Sequence, residues 1–268
     1  MGIFLCFTQN HLTFYVLYDK LFLMTVFKGD FMKIGVFSDL HFCSSEDLGL
    51  GRYPKIGFER LISALNDFKH NEVDFCLCLG DLVDKSEHDT RNEVFGYLSE
   101  CVAQIRAFDI PFYLVPGNHD FLELTRDDFK GVGVNVAPFV IKDEGVTLIA
   151  LDANYRKDGH FDTLGEKWDD AHIPDDQLEM LEREIKQSSA PCVVLIHENL
   201  DPTVDFSHQV RNGFLARRII QTYADKVRLV LQGHYHYGAD TLAEGVSYHT
   251  VKSICVATNE TFYEILEF

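Results

Sequence analysis

Five short clusters carry side chains able to hold metal ions or move protons. They are Asp39-Leu40-His41, Gly80-Asp81, Gly117-Asn118-His119-Asp120, His197-Glu198-Asn199 and Gly233-His234-Tyr235-His236. The donors are carboxylate, amide and imidazole, with no thiolate in any cluster, a set that suits manganese, iron or zinc. Residues two apart on an extended segment face the same side. Asp39 and His41 can therefore reach one ion together, and His234 and His236 can reach two ions about 3.5–4 Å apart, the usual spacing in two-metal sites. A carboxylate such as Asp81 has an oxygen for each of two ions. Singly, each cluster has an ordinary reading as a turn, a cap or a strand end. Five together, each following an apolar run, point to a metal site.

The elements that must position these clusters are legible as apolar runs. Strands are expected over 34–38, 73–79, 112–115, 146–151, 192–196, 227–231 and 247–251. Helical spacing of apolar residues is seen over 58–68 and 93–108. A further helix over 177–185 is introduced by Pro174 and two aspartates, which suit a helix N-terminus. Alternating strands and helices predict an α/β fold with crossover connections. In such sheets, sites lie beyond the carboxyl ends of strands, where these clusters fall. Glycines 80, 117 and 233 permit tight turns and close backbone approach there.

The chain of 268 residues is 46% hydrophobic and 25% charged, enough for a sizeable core. Its 42 acidic residues against 24 basic ones give a formal net charge of −18. A general nucleic-acid grip needs a positive surface, so this balance speaks against one. It also means that a phosphate-bearing substrate needs a local positive charge. The seven cysteines are irregularly spaced without a CxxC, which predicts reduced core thiols in a cytoplasmic protein. Residues 1–31 show no secretory pattern, and Asp19-Lys20 interrupts any membrane-spanning run. Met32 is expected as the natural start, with 1–31 an N-terminal extension and 32–268 the working domain. The alternative is that 1–31 forms an amphipathic surface or partner-binding segment.

The order DxH, GD, GNH plus an acid, H, then GHxH resembles the calcineurin-like metallophosphoesterases, from Asp39 to His236. The resemblance implies a four-layer α/β/β/α sandwich of two mixed sheets flanked by helices, with a two-metal centre. It implies that Asp39, His41 and His236 hold the first ion, that Asn118, His197 and His234 hold the second, and that Asp81 bridges. His119 would face the substrate or protonate the leaving group, and Asp120 would orient His119. Two divalent ions, less two ligand carboxylates, leave roughly +2 in an acidic protein, which supplies the missing local charge. A hydroxide shared by the ions would attack phosphorus in line.

Within that family, Phe42 after His41 and Lys85 after Asp84 depart from the protein Ser/Thr phosphatases. His119 departs from the lipid-precursor pyrophosphohydrolases, which carry Arg there. The stretch from Ile149 through the 154–165 loop to Leu178 and Leu181 resembles the class III cyclic nucleotide phosphodiesterases, although Glu198 stands where many of them carry a second His. The stretch from Arg52-Tyr53 to Leu61 resembles ADP-ribose and CDP-alcohol diphosphatases. The expected activity is hydrolysis of a small or nucleotide phosphodiester. The alternatives are a phosphomonoesterase, a nucleotide diphosphatase, or a non-catalytic scaffold on the same fold. Asp84 is expected to support the centre without binding metal, and Trp168 to pack in a loop. His70, His88, His208 and His249 receive no role from the pattern.

Overall fold

Which way each strand turns its apolar side chains decides the layering of this α/β chain. The structure is a computed structural model and describes residues 31–160, 169–256 and 262–268, together with the backbone of 3–8 and 11–16. By its contacts the chain divides into two units, Met1–Phe31 and Met32–Phe268. In the first, β1 (Ile3–Thr8) and β2 (His11–Val16) pair antiparallel, with Thr8 opposite His11.

The second unit begins with β3 (Lys33–Phe37), α1 (Pro54–His70), β4 (Phe75–Cys78), α2 (Arg91–Arg106) and β5 (Phe112–Leu114). It continues with α3 (Arg126–Gly131), β6 (Asn135–Val136), β7 (Phe139–Lys142), β8 (Thr147–Ala150), α4 (Asp175–Gln187) and β9 (Cys192–Ile196). It ends with α5 (Gly213–Thr222), β10 (Val227–Gln232), β11 (Ala239–Ala243), β12 (Val246–Thr250) and β13 (Glu264–Glu267). One sheet has the order β13-β3-β4-β5-β6 and the other β11-β12-β10-β9-β8-β7. The inner strands β3, β4 and β5 run parallel, as do β8, β9, β10 and β12. The edge strands β13, β7 and β11 are antiparallel to their neighbours. The sheets are therefore mixed, as expected.

Period-two alternation builds the layers. Ile34, Val36, Phe75 and Leu77 from one sheet meet Leu148, Ala150, Val193 and Leu195 from the other in a shared core. The opposite faces carry Phe37, Cys76 and Cys78, which pack with Leu61, Leu65 and Phe68 of α1 and Val94 and Leu98 of α2. On the far side Ile149, Val194 and Ile196 pack with Leu178, Leu181 and Ile185 of α4 and Ala216 and Ile220 of α5. The result is the four-layer α/β/β/α sandwich.

The helices start where the chemistry favours it. Pro54 opens α1, and Thr90 with Glu93 forms a capping box on α2. Six cysteines (Cys43, Cys76, Cys78, Cys101, Cys192 and Cys255) are free and buried. No helix among the described residues is long and apolar enough to cross a membrane.

Candidate metal centre

The loops after β3 and β4 run side by side beyond the strand ends. Leu79 N–H donates to Phe37 O (2.9 Å), Asp39 N–H to Gly80 O (2.9 Å) and His41 N–H to Asp81 O (2.8 Å). Holding these pairs while aiming side chains into one place puts Asp39, His41 and Asp81 at φ of 54°, 50° and 52°, and His234 at 66°. Non-glycine residues rarely take this left-handed region, and strain of this kind collects at functional sites. Gly80 adopts φ 104°, and a Cβ there would collide with the His197 ring. At the same level the loops after β9, β10 and β12 of the second sheet are tied to one another, and a further backbone bond joins them to the first sheet. Gly233 N–H donates to His197 O, Ser253 N–H to His236 O and Ile254 N–H to Ser38 O, at 3.0–3.1 Å.

The predicted ligands converge. Asp39, His41 and His236 offer atoms within 4.8 Å of one another, as do Asp81, His197 and His234, and a third such group is His41, Asp81 and His119. His236 Nε2 lies 3.3 Å from Asp39 Oδ1, His197 Nε2 3.4 Å from Asp81 Oδ2, and His41 Nε2 3.5 Å from the same oxygen. Asp81 thus stands between both clusters. All but His119 and His236 are buried. Asp39 Oδ1, Asn118 Oδ1 and His197 Nε2 are buried without a hydrogen-bond partner. Burying polar atoms unpaired is costly, and these are the ones a two-ion centre would use. The residues present therefore fit two metal ions.

Electrostatics follow from burial and crowding. Burial alone would raise the Asp39 carboxyl, but His236 beside it brings it down to about 2. Burial lowers His234 well below the ordinary imidazole value, and the charge of His197 adds to this. Burial also opposes protonation of His119, but the Asp81 and Asp84 carboxylates outweigh it and hold that ring above its usual value.

One expectation needs correction. Asp120 does not orient His119. Its carboxylate accepts from the backbone N–H groups of Asp81, Leu82, Val83 and Gly117 at 2.9–3.2 Å. His119–Phe121 is a single 3-10 turn, in which adjacent side chains point well apart. Asp120 therefore points back to clamp the loop that carries Asp81. The carboxylate beside His119 is that of Asp84, whose Oδ2 lies 3.0 Å from His119 Nδ1, 2.9 Å from His41 Nδ1 and 3.1 Å from Arg52 Nη1.

Arg52 was not singled out as a site residue, yet its Nη1 is also 3.4 Å from His119 Nε2. Nothing in its spacing marks it, because it arrives through a turn closed by Arg52 N–H donating to Gly49 O. His208 likewise had no role, and its ring centroid lies 5.2 Å from that of His234. Glu198 is buried with both oxygens unpartnered, and burial pushes its carboxyl up to about 7. Trp168 lies outside the described residues.

With fold and site defined, the comparisons with known proteins agree. Residues 32–238 match the family model described as calcineurin-like phosphoesterase, and the chain belongs to that family. It is accordingly a metal-dependent phosphoesterase. It is 23% identical over 230 residues to the 3',5'-cyclic adenosine monophosphate phosphodiesterase CpdA of Haemophilus influenzae, covering 84% of this chain and 77% of that one. It is 24% identical over 217 residues to an Arcobacter nitrofigilis protein named probable glycerophosphodiester phosphodiesterase GpdQ, covering 76% and 72%. The fold matches a crystal structure of a dimetal phosphatase from Danio rerio with a TM-score of 0.73 at 16% identity, covering 85% and 89%.

Proposed function

We propose that this protein hydrolyses phosphodiesters of small alcohols or nucleotides. Asp39, His41 and His236 would hold one ion, Asn118, His197 and His234 the other, and Asp81 both. The observation that carries this reading is the shared position of Asp81 between two ligand clusters that each contain orphaned buried donors. Two ions so held supply Lewis acidity toward phosphoryl oxygens and a water-derived nucleophile at neutral pH. The names of the two relatives, both phosphodiesterases, support the diester.

The chain's own groups account for the rest. Asp84 takes His119 Nδ1, which leaves Nε2 toward the partly open side, where the ring is about a quarter exposed. With its pKa raised, His119 is suited to carry a proton at Nε2 and release it to the departing alkoxide. Arg52 sits beside that nitrogen and can contact a phosphate oxygen. This second cation also favours another reading, a phosphomonoesterase, because a monoester dianion gains more from it than a diester monoanion.

All of these residues fall within 32–268, where we place the hydrolase, leaving 1–31 as an extension outside it. A chain starting at Met32 should keep full turnover, and loss of turnover would overturn that boundary. The deciding assay is hydrolysis of bis(p-nitrophenyl) phosphate against p-nitrophenyl phosphate by metal-stripped protein resupplied with manganese. Faster diester turnover supports the proposal. Faster monoester turnover replaces it with the second reading.

A further inference from the structure

Beside the second ligand cluster stand three rings that the proposed chemistry does not use, those of His208, Tyr235 and Tyr237. His234, Tyr235, His236 and Tyr237 lie together where the chain turns, with Tyr235 N–H donating to Gly233 O (2.7 Å) and Gly238 N–H to Tyr235 O (2.9 Å). Two expected ligands therefore alternate with two tyrosines. The His208 ring lies 5.2 Å from His234 and 5.3 Å from Tyr235, and Tyr235 lies 5.7 Å from Tyr237. The rings form a chain that leads outward from a buried ligand to a side chain that is 70% exposed.

The His208 end of this chain of rings is firmly held. The loop bearing His208 is fastened by Asn199 N–H to His208 O (3.0 Å), Val210 N–H to Asn199 O (3.1 Å) and His208 N–H to Asp205 O (2.9 Å). Tyr235 is half-buried and Tyr237 protrudes, so neither is a core residue. The His208–Tyr235 and Tyr235–Tyr237 pairs are edge-to-face, at 84° and 68°. That geometry is favourable between rings and leaves faces open to a third planar group. Tyr237 is exposed beside the expected centre, so core packing does not account for it.

We propose that Tyr237 and Tyr235, backed by His208, form a stacking platform for a nucleobase, so that the substrate is a nucleotide ester and not a simple alkyl or glycerol ester. This rests on the diester reading above and narrows it. Every base presents a π-face, so such a platform selects nucleotides without selecting one base.

The test uses the full chain loaded with manganese and two esters with the same leaving group, thymidine 5'-(p-nitrophenyl phosphate) and methyl p-nitrophenyl phosphate. Tyr237→Ala should raise KM for the thymidine ester about tenfold with kcat unchanged. It should leave the methyl ester unaffected, and Tyr237→Phe should restore the wild-type value. Equal changes for both esters, or none for either, would overturn the platform. Equilibrium dialysis of adenosine monophosphate gives a readout that does not need turnover. If neither ester is hydrolysed, the diester reading fails alone, and the platform stands or falls on whether Tyr237→Ala weakens nucleotide binding. Absence of binding to the wild-type protein at millimolar nucleotide would also overturn it.

Discussion

One oxygen of Asp84 faces three nitrogens, those of His41, His119 and Arg52. Burial would favour a neutral carboxyl, but His119 and His41 on the same oxygen hold it well below the usual range. Asp84 thus fixes the orientation of an expected metal ligand and of the expected proton donor together. Changing Asp84→Asn should lower turnover or metal affinity about 10–100-fold, the usual effect of removing a group that orients ligands. Wild-type rates and metal content in that variant would remove this role. Asn118→Ala tests the centre directly. Its side-chain oxygen is buried with no partner, so its loss should reduce bound metal from two ions to one and cut turnover by on the order of 100-fold. Metal analysis by mass spectrometry, read beside the rate, checks both parts.

At the scale of elements, the two sheets are joined at their edge by a charged clamp. His249 on β12 has Nδ1 2.5 Å from Asp240 of β11 and Nε2 2.8 Å from Glu264 of β13, which belongs to the other sheet. Glu264 raises the imidazole against a smaller desolvation effect, and Asp240 adds to it, taking the pKa from 6.5 to about 9. A raised folded-state pKa gives stability that is full below pH 6.5 and lost as pH rises through about 9. His249→Gln should therefore lower Tm by about 2–4 °C near pH 6, on the order of 1 kcal/mol, and change it little at pH 10. Equal effects at both pH values would show that the clamp is not ionic.

The strands and helices with regular apolar spacing were legible in the sequence, as was the gathering of the expected ligands beyond the strand ends, and Cys192–Ile196 matches its predicted limits. What was missed has physical causes. Strands β6, β7, β11 and β13 are short or lie at sheet edges, where half-exposed residues blur the alternation. Helix α5 is short and starts at a glycine. Arg52, His208 and the Asp84–His119 contact depend on loop conformations that no local pattern encodes.

At the scale of the whole molecule, the net charge of −18 opposes an anionic substrate until it reaches the centre. Raising ionic strength from 0.01 to 0.2 M shrinks the screening length from about 30 Å to below about 10 Å. KM for an anionic diester should therefore fall a few-fold across that range. A rise in KM would mean that the local positive field outweighs the global one. Removing the metals should also leave Asp39 and Asp81 crowded in the core, so chelation should lower Tm and manganese should restore it. The pairing of β3 with β13 has a consequence for biosynthesis. The strand that delivers Asp39 acquires its antiparallel neighbour only after residue 267 has been joined, and His236 follows Asp39 by most of the polypeptide. At roughly 5–20 residues per second of translation, the first expected ligand waits on the order of ten to forty seconds for the last. The expected ligand set is therefore completed late, and a chain that stalls before His234 carries five of the seven expected ligands and an unpaired β3 edge, suited to proteolysis.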